Sequence, residues 1–402
     1  MSTTLYDRSG NPIVIMDSKS DIIELKIWDL PKIYIVSDTA YADVTKETNS
    51  KGTLSFIDGK TDIKNIPVKF KLQGHGSTLL QKKNLNLTFY TDDTYENKQK
   101  VKFNEWYPAK KVHIKANETE YSMCRNSVGT KIFYEWMGKN LPNGARGYVD
   151  SFPCILYYNE EWMGCYTINL PQESDLFNFD EEQETACKNL CYRVESVTKI
   201  TSVDGWEYRG DADVTDEMNA TFQSLLDVLY NTETLTKEII ESHVNIESLL
   251  NYLVCVQIGN CQDSAHNNQT LATWDGVKWH YVWYDTDACF GTGQGGIAVG
   301  STGDMFTSSF VTGYNTFFVK AVELYQTELA EHYAKIRSRY DIPSFVSNAF
   351  YEFQNKWGIQ NIEAERVKWA EDKPTSTRDV DVIKSWLTSR IAWCDTYFGY
   401  TE

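Results

Sequence analysis

Residues 259–291 read GNCQDSAHNNQTLATWDGVKWHYVWYDTDACFG, and this stretch decides the fold of the C-terminal half. Two of its runs, 269–274 and 279–284, have the character of paired strands and flank Asp275-Gly276. Asp-Gly between two strands is a strong hairpin signal, because glycine adopts positive φ without a steric cost. We therefore predict a β-hairpin that folds the residues after its second strand back toward those before its first.

The predicted hairpin gathers carboxylate and amide oxygens at one end of a small sheet. They belong to Asp263, Asn268, Asp285 and Asp287. Hard divalent ions such as Mg²⁺ take oxygen ligands, typically one or two carboxylates together with substrate phosphates. Asp263 and Asn268 stand five residues apart, the interval between the catalytic Asp and the metal-binding Asn of protein kinases. The alternative is that these residues gather at turns and strand ends for local hydrogen bonding.

A glycine turn joins two predicted strands in the N-terminal third. It reads QGHGST (73–78) and is followed by KKNLNLTF (82–89), where apolar and polar residues alternate as in a half-buried strand. Such a turn can lie over phosphates while a lysine of the next strand reaches them. The groups suited to such contacts are the amides of Gly74 and Gly76, the Ser77 hydroxyl, and the amine of Lys83 or Lys82. The alternative is an ordinary turn with lysines that face water.

Composition excludes several classes of protein. A chain of 402 residues can bury a large core, and its net charge of −17 argues against general nucleic-acid binding. No apolar run approaches the roughly 20 residues of a membrane span. The nine cysteines show no Cys-x-x-Cys or Cys/His metal spacing, which predicts reduced thiols. The N-terminus has no basic region followed by an apolar core, so we expect no signal peptide and a cytoplasmic or virion protein.

Periodicity divides the chain into four parts and predicts an α+β fold. The parts are an N-terminal arm (1–29), a mainly antiparallel β N-lobe with one long helix at 120–137 (30–170), an irregular acidic connection with a helix at 216–230 (171–240), and a mainly α-helical C-lobe (241–402). Besides the hairpin, the C-lobe carries predicted helices at 245–258, 317–339, 342–357, 362–370 and 380–398.

Six segments resemble, in order, those of the CotH kinase family, which is related to the secretory-pathway protein kinases. They are LPKIYI (30–35), QGHGST…KKNLNLTF (73–89), KANETEYSMCRNSVGTKIFYEWMG (115–138), LYYNEEWMGCYTI (156–168), DSAHNN…WHYVWYDTDACFG (263–291) and SWLTSRIAWCDTYF (385–398). The resemblance implies an atypical protein-kinase-like fold with ATP between the two lobes. It also implies Mg²⁺- and ATP-dependent phosphoryl transfer to hydroxyl groups of a protein.

The resemblance assigns a role to each candidate residue. It implies that Asp263 is the catalytic base, Asn268 a metal ligand, Asp285 the principal magnesium ligand, Asp287 a residue near a second metal, and Lys83 or Lys82 the contact to the nucleotide phosphates. The chain departs from the family at Gln73, where Arg is common, and around Asn169-Leu170, where an acidic residue is usual. An acidic partner aligns the phosphate-binding lysine of kinases; Glu160, Glu161 or Glu173 are the candidate substitutes.

Two classes of function follow from these observations. The first is an enzyme that binds a nucleotide and phosphorylates a protein substrate. The second is a non-catalytic structural protein on the same fold, such as a virus-encoded (phage) virion component that forms a homo-oligomer or particle. The intact acidic set favours the enzyme. The lost acidic residue, the expected lack of a signal peptide and an aromatic content of 14% favour the structural protein.

Overall fold

The computed structural model describes residues 30–58, 63–74, 76–103, 106–118, 122–138, 141–293, 296–370 and 380–401. Helices and strands are both abundant in these ranges, which confirms the predicted α+β class. The predicted N-terminal arm, residues 1–29, lies outside the described residues.

Seven strands of the N-terminal part close into a barrel. They are β1 (Lys32–Val36), β2 (Ser50–Ile57), β3 (Ile63–Leu72), β4 (Leu85–Phe89), β5 (Lys111–Lys115), β6 (Ser151–Tyr158) and β7 (Glu161–Asn169). Their order is β1-β2-β3-β4-β5-β7-β6, and all neighbours are antiparallel except β6 and β1, whose parallel pairing closes the barrel. The sequence predicted the antiparallel strands. It did not predict the closure, because pairing between strands so distant in the chain leaves no local pattern.

A second, four-stranded sheet carries the stretch from which the sequence analysis began. It contains β8 (Leu190–Val194), β9 (Trp206–Tyr208), β10 (Thr270–Thr273) and β11 (Trp279–Val282), in the order β11-β10-β8-β9. The predicted hairpin is β10–β11, with Thr270 opposite Val282 and Thr273 opposite Trp279. Strands β8 and β9 come from the connection predicted to be irregular; they were missed because each is short and lacks a clear alternation.

Thirteen helices are present in the described residues. They are α1 (Arg125–Trp136), α2 (Ser174–Phe177), α3 (Glu181–Thr185), α4 (Asp216–Leu229), α5 (Lys237–His243), α6 (Ile246–Gly259), α7 (Gln262–His266), α8 (Ser309–Tyr314), α9 (Thr316–Leu324), α10 (Gln326–Arg337), α11 (Ile342–Trp357), α12 (Ile359–Lys368) and α13 (Val380–Phe398). The helix predicted at 317–339 is two helices, since the backbone leaves the helical region at Tyr325. None of the described helices is long and apolar enough to cross a lipid bilayer.

Helices α11 and α12 pack against the part of the barrel wall formed by β6 and β7. The indole of Trp357 donates to the carbonyls of Cys154 and Tyr166, each 3.1 Å away, and Trp369 donates to the Met163 carbonyl at 2.9 Å. Helix α1, which was predicted as part of the N-lobe, packs on α6 and α11. The division of the chain at residues 170 and 240 stays a prediction.

Candidate functional site

A disulfide holds the two ends of the hairpin stretch together. Cys261, just before α7, is bonded to Cys289, and their Cα atoms are 4.6 Å apart. Next to it, the Phe290 amide donates to the Gly259 carbonyl at 2.8 Å. The segments before β10 and after β11 therefore run side by side, as the predicted hairpin requires. The prediction of reduced thiols was wrong for this pair, whose spacing matches no short motif; the other seven cysteines are buried thiols.

Asp263 and Asn268 lie in and just after the short helix α7. The Asp263 carbonyl accepts hydrogen bonds from the amides of Asn267 and Asn268, at 2.7 and 3.0 Å. These bonds fix Asn268 in the turn that enters β10, so that both side chains belong to one compact segment. Nε2 of His266 lies 3.9 Å from the Asp263 carboxylate. Burial lowers the pKa of His266, although the charge of Asp263 opposes this shift.

Asp285 has a strained backbone, with φ of +49°. Asparagine and aspartate adopt this left-handed conformation more readily than other residues with a side chain, and eleven further non-glycine residues of the described ranges have positive φ. Such conformations are enriched at functional sites. The conformation is held through Thr286, whose amide donates to the Asn126 side chain at 3.3 Å and whose hydroxyl donates to the Arg125 carbonyl at 3.0 Å. Asp285 and Asp287 are both half-buried, and the first turn of α1 thus holds the loop that carries them.

Arg125 braces the same loop from the other side. Its buried guanidinium donates to the carbonyls of Cys289 and Phe290, at 2.8 and 3.2 Å. Gly129, one turn further along α1, leaves the room that Thr286 needs, because a Cβ at this position would meet the threonine hydroxyl at 2.6 Å. The loop geometry is therefore set by α1 and not by the hairpin alone.

The donor set of the two tied segments consists of oxygen atoms only. Asp263 and Asn268 stand on one segment, and Asp285 and Asp287 stand on the other. Carboxylate and amide oxygens are the ligands that suit Mg²⁺, which keeps part of its shell for water and phosphate. In the ranges that the structure describes, no group of three or more His, Cys, Asp and Glu side chains has the arrangement of a metal centre. The ligand roles of these four residues stay predictions.

Lys82 is enclosed in a buried ionic cluster. Its Nζ atom lies 2.6 Å from Glu365 and 3.1 Å from Glu118, and it donates to the Cys165 carbonyl at 2.7 Å. The side chains of Lys82, Glu118 and Glu365 are at most 1% exposed. Burial by itself lowers the pKa of Lys82, but the two carboxylates outweigh it and hold the pKa above its ordinary value. This lysine therefore ties α12 to the barrel.

The carboxylates of this cluster differ from those that the sequence suggested. Glu160 is exposed in the β6–β7 turn, Glu161 pairs with Lys368, and Glu173 pairs with Lys111 and Arg209. Sequence reasoning missed Glu365. One signal was available: it falls on the same helical stripe as two buried apolar residues, Ile362 and Trp369, and a glutamate in an apolar stripe indicates a buried partner.

Lys83 reaches back to the glycine turn. It is half-buried, and its Nζ donates to the Thr78 carbonyl at 3.1 Å. Gly74 has φ of +104°, a conformation open to glycine. A 3₁₀ turn, Gly76–Leu79, follows and contains Ser77. The structure thus places Lys83, Gly74, Gly76 and Ser77 around one turn, which the sequence analysis expected, and their nucleotide contacts stay predictions.

The sequence analysis missed Lys115, which ends β5 beside this turn. Its Nζ donates to Oε1 of Gln73 at 2.7 Å. Gln73 is the position at which members of the family commonly have Arg. The KVHIK pattern of β5 gave a signal: Val112 and Ile114 are buried, and Lys111, His113 and Lys115 alternate with them on the outer face of the barrel.

A further cation, Arg193 on β8, lies next to the acidic loop. Its guanidinium stacks 4.7 Å from the ring of Tyr284, the residue before Asp285, and pairs with Glu207 at 2.8 Å. His113 lies close to Arg193 and to Arg209. Its pKa is well below the ordinary value, because the ring is buried and because these cations, with Lys111 and Lys115, disfavour its protonation.

Comparison with known protein families gives a match. The family model described as CotH kinase protein matches residues 70–394 of the 402-residue chain, a range that includes the glycine turn, the ionic cluster and the hairpin stretch. No curated protein matches the chain.

Proposed function

The chain belongs to the CotH kinase family, and we propose that it transfers a phosphoryl group from Mg²⁺-bound ATP to a hydroxyl group of a protein substrate. The observation that carries this proposal is the Cys261–Cys289 bond, because it ties the segment that contains Asp263 to the segment that contains Asp285. Strain at an acidic residue is maintained only where the surrounding contacts enforce it, and here Thr286 and Arg125 do so.

Each polar residue of the site has a role in this reaction. Asp263 accepts the proton of the attacking hydroxyl and orients it toward the phosphoryl group. Asp285, Asn268 and Asp287 would hold the metal through their oxygen atoms. A metal held there would supply positive charge, which offsets the negative charge that develops during transfer.

Phosphate contacts are assigned to the groups around the glycine turn. The amides of Gly74 and Gly76 and the Ser77 hydroxyl would bind the phosphates, and Lys83, two residues before β4, would supply a positive charge. Lys115 supplies a second charge, which the outer-face position of β5 supports. The enclosure of Lys82 by two carboxylates supports a different role for it, namely to fix the strand that carries Lys83.

Thermal unfolding in the presence of Mg²⁺ and ATP tests the proposal. A ligand that binds only the folded protein raises the melting temperature by mass action, so saturating Mg-ATP should raise it, and Asp285→Ala should abolish the shift. Incubation with ATP labelled at the γ-phosphate or at the α-phosphate then separates phosphorylation from nucleotide transfer. Absence of a shift for both proteins would contradict the proposal.

A non-catalytic structural role is the second candidate. It is favoured by the enclosure of Lys82, one of the two lysines expected to reach the phosphates. In that case the protein assembles with itself or with other particle components and needs no nucleotide. Light scattering or sedimentation would then show assembly that neither Mg-ATP nor Asp285→Ala changes.

A further inference from the structure

One cation of the second sheet, Arg193 on β8, lies against the chain that follows Asn268. In the register of the sheet it stands directly opposite Thr270 of β10. The amide of the next residue, Val194, donates to the Gln269 carbonyl at 3.0 Å, and Gln269 is the residue after Asn268. Backbone pairing thus fixes Arg193 beside the segment that leads into β10.

The guanidinium of Arg193 also contacts the second of the two segments that carry the acidic residues. Its Cζ atom lies 4.7 Å from the centre of the Tyr284 ring, and Tyr284 directly precedes Asp285. A planar guanidinium stacks favourably on an aromatic face. Tyr284 and Asp285 are half-buried, and the Arg193 side chain is 14% exposed, so that solvent reaches this group. A single arginine therefore stands next to both segments that the disulfide ties together.

Arg193 has N–H donors that the chain does not use. Its ion pairs with Glu195 and Glu207 both go through one atom, Nη2. No hydrogen bond from Nε or Nη1 is present in the ranges that the structure describes. A guanidinium carries five N–H groups, and each of them forms a strong hydrogen bond to a charged oxygen. Nε and Nη1 therefore remain as donors for an anion.

A neighbouring arginine, Arg209, differs in this respect although its side chain is also 14% exposed. Its Nε donates to the Gln172 carbonyl at 3.3 Å, its Nη1 pairs with Glu207 at 2.9 Å, and its Nη2 pairs with Glu173 at 3.2 Å. All three nitrogen atoms of this guanidinium thus have partners within the chain. Arg209 is therefore held by the fold, whereas Arg193 keeps donors for a ligand.

The carboxylates that pair with Arg193 can be exchanged for a phosphate. The side chains of Glu195 and Glu207 are 41 and 44% exposed. Ion pairs with exposed carboxylates contribute little to stability, because water and salt compete with them. If a phosphate took the place of Glu207, this glutamate would keep Arg209 as its partner. Arg193 can thus turn to a phosphate without leaving a buried charge unpaired.

We propose that Arg193 is a further catalytic residue, which binds the phosphoryl group while this group passes from ATP to the acceptor. The inference rests on the proposed function. In that step the acceptor oxygen forms a bond to the γ-phosphorus, the bond from this phosphorus to the leaving ADP breaks, and the acceptor proton moves to Asp263. Negative charge on the phosphoryl oxygens is stabilised by N–H donors that are already in place. Because the contacts of Arg193 are with the residues next to Asn268 and Asp285, we assign it to the transferred group and not to the phosphates that stay with ADP.

Calorimetric titration of the full chain in Mg²⁺ compares three ligands: ADP, ATP, and ADP with aluminium fluoride, which imitates the phosphoryl group during transfer. Arg193→Met should leave the ADP affinity unchanged, because ADP lacks the transferred group. It should lower the affinity for ADP with aluminium fluoride by about 10- to 100-fold and that for ATP by less. In turnover assays the same variant should lower kcat by at least about 10-fold, while KM for ATP changes little.

Two further variants control for charge and for folding. Arg209→Met removes an equal charge from another partner of Glu207 and should leave all three affinities unchanged. Arg193→Lys keeps the positive charge but not the planar set of donors, so that it should recover only part of the affinity for ADP with aluminium fluoride. It also replaces Arg193→Met if that variant does not fold.

The outcomes separate this inference from the function on which it rests. If Arg193→Met lost the same affinity for all three ligands, the inference would be overturned, because the effect would not depend on the transferred group. It would also be overturned, with phosphoryl transfer left standing, if Arg193→Met kept its full affinity for ADP with aluminium fluoride or if Arg209→Met showed the same loss. Failure of all three ligands to bind the unchanged protein would overturn the proposed function itself, and the role of Arg193 with it.

Discussion

Buried polar atoms have partners in the ionic cluster of Lys82. In the polar row on the outer face of the barrel, formed by Asn86, His113, Asn169 and Ser151, several of them have none among the described residues. In the cluster, the lysine amine is surrounded by two carboxylates and by backbone carbonyls within 3.4 Å. In the row, amide and hydroxyl oxygens are buried without partners among the described residues. Both arrangements remove polar atoms from water, and only the first replaces the lost hydrogen bonds inside the chain.

This difference separates structural residues from candidate binding residues. A buried charge is tolerated where partners surround it, and removal of one partner then destabilises the fold. Unpaired polar atoms cost stability in the free protein, and their cost is recovered when a ligand pairs with them. The cluster should therefore govern unfolding, whereas the acidic loop should govern ligand binding. The following changes test this separation, in order of the expected effect.

Lys82→Met should produce the largest loss of stability. The substitution leaves Glu118 and Glu365 buried without their cation, which corresponds to about 3–5 kcal/mol in the free energy of unfolding. Urea denaturation measures this loss. Lys115→Met, on the half-buried outer face, should change the stability by less than about 1 kcal/mol while it weakens Mg-ATP binding.

A rescue variant controls this prediction. Addition of Glu118→Gln and Glu365→Gln to Lys82→Met removes the unpaired charges and should restore part of the lost stability. The separation would be reversed if Lys82→Met unfolded like the unchanged protein and failed to bind Mg-ATP. Lys82 would then be the phosphate-binding lysine that the sequence analysis named as one of its two candidates.

Loss of the disulfide should have the next largest effect. Cys261 and Cys289 close a loop with a sequence separation of 28 residues, and such a cross-link stabilises a fold by about 3 kcal/mol. Reduction by dithiothreitol should lower the unfolding free energy by this order and also weaken Mg-ATP binding, because both candidate segments depend on the cross-link. Urea denaturation and calorimetry measure the two effects.

The double variant Cys261→Ser with Cys289→Ser is the control for reduction. It should match the reduced protein in stability, and dithiothreitol should not change it further, because the other seven cysteines are buried thiols. A reductant effect that persists in the double variant would show that another thiol is responsible.

Mild acid should destabilise the second sheet through His280 on β11. Burial lowers its pKa to about 4, against an ordinary value of 6.5. The unfolded chain therefore binds a proton between these values and the folded chain does not, so that this contribution is complete above pH 6.5 and is lost as the pH falls toward 4. At pH 5 the loss is about 2 kcal/mol. His280→Leu should show a correspondingly smaller decrease between pH 7.5 and pH 5 in urea denaturation.

Sequence patterns predicted the elements of this fold better than the contacts between them. The Asp275-Gly276 turn defined the β10–β11 hairpin, and the periodicity at 380–398 matched α13. Local propensity and spacing are sufficient for such elements. Barrel closure, the Cys261–Cys289 bond and the approach of Glu365 to Lys82 depend on chain segments that are far apart in sequence. No local pattern encodes these contacts.

The candidate site shows the same limit. The sequence names Asp263 and Asp285 as candidates because a short stretch contains both of them and a turn signal between them. Lys115 was missed because its strand position indicates only which face it occupies, whereas its approach to Gln73 depends on how β3 and β5 are arranged in the barrel. A single sequence therefore shows which residues carry oxygen or amine groups. It shows less readily which of these residues come together in the folded protein.

Substitutions at Asp285 should separate the effect of backbone strain from that of the carboxylate. Of the changes described, they should alter the stability least. Glycine adopts a φ of +49° without a steric cost, whereas alanine does not. Asp285→Gly should therefore unfold at the same urea concentration as the unchanged protein or a higher one, and Asp285→Ala should be less stable than Asp285→Gly by about 1 kcal/mol. Both variants should lose Mg-ATP binding equally, because each lacks the carboxylate. If Asp285→Gly bound Mg-ATP normally, the carboxylate would have no part in binding, and the strained loop would have to be explained by folding alone.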